Sequence, residues 1–139
     1  MTYMKPHRIK HFFLLALGMA VMLTAHADAQ APPPTLVYGT MCESIDNFHP
    51  VDPAVVFSIS KGEIICFTTF DPVLEKTNVF HKWYKREQLI SRARLTLQPP
   101  KWSSFSSMQL RKADKGPWRV EITDTNDNLL QTLRFSISD

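Results

Sequence analysis

The sequence predicts an all-β protein, an immunoglobulin-like β-sandwich of seven to eight antiparallel strands preceded by a cleavable signal peptide. Three observations carry this. Apolar and polar residues alternate with period two in most segments after residue 35, and no stretch sustains a period of 3.6. Breaks rich in Pro, Gly, Asn and Asp recur about every ten residues. The first 29 residues follow a different plan, that of an export leader.

The leader, residues 1–29, opens with the cations Lys5, Arg8 and Lys10 and continues into an apolar run over residues 11–25. Small residues follow at Ala25, Ala27 and Ala29, the spacing a signal peptidase needs in its two small pockets. Ala27-Asp28-Ala29 places the cut before Gln30, with Ala25-His26-Ala27 as a second choice. The apolar run is shorter than the roughly 20 residues that cross a bilayer as a helix, so cleavage is expected rather than a retained anchor. No other stretch is apolar enough to span a membrane. The expected compartment is the periplasm or the exterior of the cell.

Residues 30–35 hold Pro32-Pro33-Pro34, an extended spacer ahead of the domain at 36–139. Strands are expected at 36–42, 55–57, 63–70, 78–85, 89–98, 102–111, 117–124 and 129–138. Residues 46–53 read as a loop, because Pro50, Pro53 and the neighbouring Asx residues break a ladder. In 78–85, Val79, His81 and Trp83 share one face, and Phe80, Lys82 and Tyr84 share the other. In 117–124, Trp118, Val120 and Ile122 point inward; in 129–138, Leu133, Phe135 and Ile137 do. One-sided strands must bury that side against a second sheet, which gives the sandwich; a small barrel is the competing closure.

Of the 16 Lys and Arg residues three lie in the leader, with one of the 13 Asp and Glu, so the mature chain is nearly neutral. That removes the main support for nucleic acid as a partner. The two cysteines, Cys42 and Cys66, both fall in the mature part. In an oxidising compartment an even count favours a disulfide, worth on the order of 3 kcal/mol for a loop of this size. Two buried free thiols are the alternative. No C-x-x-C pair is present.

The words His81-x-Trp83, Trp102-Ser103-Ser104-Phe105-Ser106, Gly116-x-Trp118-x-Val120, Leu130 and Phe135-Ser136-Ile137 resemble, in that order, the bacterial family called Domain of unknown function 2914. The resemblance runs from about Met41 to the C-terminus. It implies a β-rich domain, often exported or membrane-attached, and no assigned reaction. Where the family often has an arginine directly after the second tryptophan, this chain has Ser103.

The candidate binding residues are His81, Trp83, Trp102, Arg92, Arg94, Arg119 and Arg134. His81 and Trp83 could flank a cleft, or be core. Trp102 follows a double proline and is expected near an end of the sandwich. The four arginines fall on outward positions and form a basic stripe if their strands are neighbours. No catalytic set is visible: the serines at 103, 104, 106 and 107 lack a nucleophile elbow, and His49 and His81 lack metal-site spacing. The Asp and Asn residues at 124 and 126–128 suit a hairpin turn better than a calcium loop. No metal and no cofactor is expected. The expected function is a non-catalytic binding module for a cell-envelope protein, with a glycan or cell-wall ligand held by exposed aromatics as the alternative.

Overall fold

The computed structural model describes residues 32–139, so the leader and the first residues of the proline spacer lie outside the described residues. Ten strands form: β1 Leu36–Cys42, β2 Ser44–Asp46, β3 His49–Val51, β4 Val56–Ser58, β5 Glu63–Phe70, β6 Thr77–Lys85, β7 Gln88–Leu97, β8 Trp102–Gln109, β9 Gly116–Thr123 and β10 Leu129–Ser138. They build a three-stranded sheet, β1-β5-β8, a five-stranded sheet, β4-β10-β9-β6-β7, and a two-stranded hairpin, β2-β3. Side chains from the two larger sheets meet in one core, including Met41, Ile64 and Phe70 from the first and Val79, Trp83, Val120, Ile122, Phe135 and Ile137 from the second. This is the expected two-layer sandwich. Among the described residues no helix is long and apolar enough to cross a membrane.

Three features depart from the sequence reading. Residues 46–53 are not simply a loop: β2 and β3 pair through a two-residue turn in which Asn47 and Phe48 both take positive φ, 47° and 59°. That is the geometry tight hairpins favour. Proline is confined to edge strands, and both strands of a two-stranded ladder are edges, so Pro50 is accommodated opposite Ile45. Second, β4 runs parallel to β10, so the sandwich is not purely antiparallel. Third, β5 is buried on both faces. Ile64, Cys66 and Phe70 face the main core, while Ile65 and Phe67 join Cys42 in a second cluster closed by Ile45 of the hairpin. The unbroken apolar run of 64–67 is the signature of such a doubly covered strand.

That arrangement overturns the expected disulfide. Met41 is the cross-strand partner of Cys66, and Cys42 is the partner of Ile65. Neighbouring residues on β1 project to opposite faces, so Cys66 enters the main core and Cys42 the outer cluster. Both are free, buried thiols. Burial pushes the Cys42 thiol up to about 11, against backbone hydrogen bonds at Val51 and Ser44 that pull it down. Burial, with a smaller contribution from the nearby Cys42, raises Cys66 further. Neither thiol is expected to react with a water-soluble disulfide reagent in the folded protein, and both should react in urea. A mass gain of two adducts only after unfolding checks this, and a reductant should leave the melting temperature unchanged.

The remaining strands follow the alternation. Thr35 is tied to the sheet end through Asp71 N–H, 2.9 Å from its carbonyl oxygen, which fixes where the proline segment stops and β1 begins. Asp124 organises the β9–β10 loop. Its carboxylate accepts from the backbone of Asn126 and Asn128, at 2.8 and 2.9 Å, and from the Asn128 amide at 2.9 Å. Burial alone would raise this carboxyl, but those hydrogen bonds outweigh it and hold Asp124 below its ordinary value. The Asx residues there serve the turn itself.

Candidate functional site

His81 and Trp83 do share a face, as the alternation requires, and that face is core. Both are fully or almost fully buried. Trp83 Nε1 donates to Ser106 Oγ at 3.1 Å. His81 Nδ1 lies 2.7 Å from the same Ser106 Oγ, and His81 Nε2 lies 3.2 Å from Thr68 Oγ1. Thr68 donates in turn to the Ser104 carbonyl oxygen at 3.3 Å.

The chemistry of the end groups fixes the direction of this chain. Indole can only donate and a carbonyl can only accept. Thr68 spends its proton on Ser104, so it must accept from Nε2–H of His81, and Nδ1 then accepts from Ser106. This direction at Nδ1 requires a neutral ring, and burial supplies that condition. Burial holds its pKa down at about 3, from an ordinary 6.5. A histidine beside a serine hydroxyl suggests a nucleophile and its base, but both side chains belong to buried residues, His81 fully so. Of the two expectations for His81 and Trp83, the cleft-flanking one gives way to core: they belong to a buried polar network joining the two sheets. Trp118 is also core, stacked on Phe135 at 6.3 Å between ring centroids, with Nε1 donating to the Asp114 carbonyl oxygen at 2.6 Å. Among the described residues no three His, Cys, Asp or Glu side chains are grouped as metal ligands.

Trp102 has a different fate. It remains 39% exposed at one end of β8, close to the tip of the β2–β3 hairpin. There a cleft of about 370 Å³ is lined by Phe48, Lys101, Trp102 and Ser103. A second, of about 340 Å³, shares Phe48, Lys101 and Ser103 and extends over Tyr38, His49, Pro50, Phe67 and Thr69. Together they make one groove that runs over the outer face of the β1-β5-β8 sheet and reaches its end at Trp102, the register partner of core-facing Phe70. Cross-strand register builds its floor: Tyr38, Thr69 and Ser103 form one row, and Thr40, Phe67 and Phe105 the next. Tyr38 meets Phe67 edge-on at 6.3 Å. Phe48 stands 70% exposed at the hairpin tip, with Tyr38 at 45% and Phe105 at 44%. Thr69 and Ser103 hydroxyls bond each other at 2.8 Å.

Sequence reasoning found Trp102 and missed Tyr38, Phe48 and Phe105. Phe105 carried a signal: it is the large residue out of phase with the serines at 104 and 106, so it faces away from the core. Phe48 carried one too, as a bulky apolar residue at the centre of a loop too polar to bury it.

The four arginines share the outer face of the five-stranded sheet but not one continuous stripe. Arg92 and Arg94 lie on the edge strand β7, opposite Lys82 and Phe80. Arg119 and Arg134 lie opposite each other on β9 and β10. Between the two pairs, acids intervene: Glu121 pairs with Lys82 in register and contacts Arg119 Nε at 3.2 Å, and Asp127 binds Lys82 Nζ at 2.9 Å. Aromatic rings take up further charge, with Arg92 3.9 Å over Phe80 and Arg119 4.2 Å over Tyr84.

Residues 76–137 match the family described as Protein of unknown function (DUF2914). The match contains His81, Trp83, Trp102, Trp118 and Phe135, the residues that carry the resemblance, and begins well inside the span from Met41 over which that resemblance runs. No curated protein matches the chain.

Proposed function

We propose that this chain, whose residues 76–137 match the family Protein of unknown function (DUF2914), is a non-catalytic binding module that holds a protein partner in the groove on its three-stranded sheet. One observation carries the reading. Tyr38, Phe48 and Trp102 stand exposed around two adjoining clefts, and Phe105 stands exposed in the neighbouring row of the three-stranded sheet, opposite Phe67. Clustered exposed aromatics are uncommon on a solitary domain and are the residues that anchor interfaces. The burial of the His81–Ser106 pair supports a non-catalytic role, since it removes the best-formed nucleophile–base geometry from any substrate. The leader read from the sequence makes the periplasm or the cell exterior the place of action, and an envelope protein the partner.

A glycan is the second reading. Tyr38 and Trp102 offer ring faces, while Thr69, Ser103 and Lys101 place hydroxyls and an ammonium beside them. Rings with flanking polar groups are what a sugar face needs. The purely apolar Phe48 and Phe105 favour the protein partner.

A photo-crosslinking residue placed at Phe48 or Phe105, and at Arg94 as a control on the other sheet, tests the choice in cells. The expected result is one envelope protein joined from the groove positions, not from Arg94, and lost with Tyr38→Ala. Equal capture from all three positions would remove the groove from the argument. Saturable quenching of Trp102 fluorescence by a cell-wall oligosaccharide, without a protein adduct, would transfer it to the glycan.

A further inference from the structure

The second candidate surface lies on the five-stranded sheet and does not depend on the groove having a partner. Arg119 and Arg134 are direct cross-strand neighbours. Like charges in that position repel, and a sheet gains nothing from them by itself. Arg119 is pinned. Its side chain is only 14% exposed, its Nη1 donates to the Arg86 carbonyl oxygen at 2.6 Å, and it contacts Glu121 at 3.2 Å and, more loosely, Glu87 at 3.5 Å. Arg134 has no hydrogen-bond or ion-pair partner among the described residues and stays exposed. Arg86 sits in the β6–β7 turn at φ 54°, with its backbone N–H bonded to Pro117, and its guanidinium likewise has no partner among the described residues.

These three arginines line a cleft of about 270 Å³ together with Glu87, Pro117 and the edge of Trp118. Three guanidiniums face one carboxylate, and that carboxylate is 93% exposed and belongs to the outermost rim. With Glu121 paired to Arg119, three arginines and two carboxylates leave a charge of about +1, and the guanidiniums of Arg86 and Arg134 are the ones without a partner among the described residues. A guanidinium fork matches the oxygens of phosphate and binds them in pairs. A phosphate monoester carries close to −2 at neutral pH and presents three acceptor oxygens, enough to engage two guanidiniums at once.

We infer that Arg86, Arg119 and Arg134 form an anion site for a phosphate-bearing ligand, with Arg119 as the preset base of the site and Arg134 and Arg86 as the groups that close on it. The ligand also removes the Arg119–Arg134 repulsion, so binding should stabilise the fold. The cleft, about 270 Å³, is larger than a phosphate group alone, so the group attached to the phosphate has room beside it.

Thermal unfolding of the purified protein in inorganic phosphate at pH 8, against sodium chloride of equal ionic strength, tests this. Phosphate is expected to raise the melting temperature in a saturable way. Arg134→Gln should abolish the rise while leaving the unfolding temperature in chloride equal or higher, because it deletes a repulsion. Arg92→Gln, on the far edge of the same face, should keep the rise. No rise beyond chloride, a rise retained in Arg134→Gln, or a rise lost equally in Arg92→Gln would each overturn the site. An equal rise with succinate would overturn the assignment to phosphate.

Discussion

Replacing Trp83 with alanine is expected to lower the unfolding free energy by about 3–5 kcal/mol, the usual cost of deleting a large aromatic from a close-packed core. Trp83 is 1% exposed, meets Phe135 edge-on at 6.1 Å, and donates its indole N–H to Ser106. Phe135 in turn packs against Phe57 and Trp118, so the loss opens a void beside the centre of the aromatic cluster. A domain of this size has little stability in reserve, and a loss at the upper end of that range is enough to unfold Trp83→Ala. Trp83→Phe separates the contributions. It keeps much of the packing, deletes one hydrogen bond worth about 1 kcal/mol, and leaves part of the indole volume empty, for a total of roughly 1–3 kcal/mol. Urea unfolding of both variants measures this. A stacking platform in an open cleft would behave in the opposite way, with stability near wild type and binding lost.

The contrast between Trp83 and Trp102 shows what period two can and cannot reveal. Alternation placed Val79, His81 and Trp83 on one face correctly, because the pleat leaves no other choice. Whether that face meets a second sheet or a cleft depends on what lies above it, and that is a long-range fact. Here β8 lies above it and supplies Ser106 to both His81 and Trp83. The arginines pose the same problem. Their outward phase was legible at every position, but their spacing depends on the order β10-β9-β6-β7, which puts Arg119 beside Arg134 and both two or three strands from Arg92. The cysteines failed for a related reason. Compartment and parity favour a bridge in general, whereas the register of β1 on β5 sends these two side chains to opposite faces. The hairpin over 44–51 was hidden because Pro50 argues against a strand, a rule that holds for central strands and relaxes in a ladder with two edges.

Acid is expected to weaken the fold through His81 well before the ordinary carboxylates protonate. The ring titrates near 3 in the folded protein and near 6.5 when unfolded, because burial disfavours its charged form. Between those values the unfolded chain binds a proton that the folded chain does not, so stability rises with pH across the window. The contribution is complete above pH 6.5 and is lost progressively as pH falls toward 3. From pH 7 to pH 5 it amounts to about 2 kcal/mol, at 1.36 kcal/mol per unit below the unfolded value. The hydrogen-bond directions reinforce this. A proton added at Nδ1 would face Ser106 Oγ, which already accepts from Trp83 and would then have to turn its own hydrogen away from the ring. Asp124 and Asp127 are both held below the ordinary 3.8, so their own contribution is lost only as pH falls through about 3.8, at the acid end of the window and well below the fall set by His81. Urea unfolding at pH 7, 6, 5 and 4 gives the slope for the wild type. His81→Gln can still donate toward Thr68 and accept from Ser106 but cannot titrate, so it should start less stable and lose much less between pH 6.5 and 4. Parallel loss in the two proteins would mean that His81 is charged in the folded state, and the directed chain from Trp83 to Ser104 would have to be abandoned.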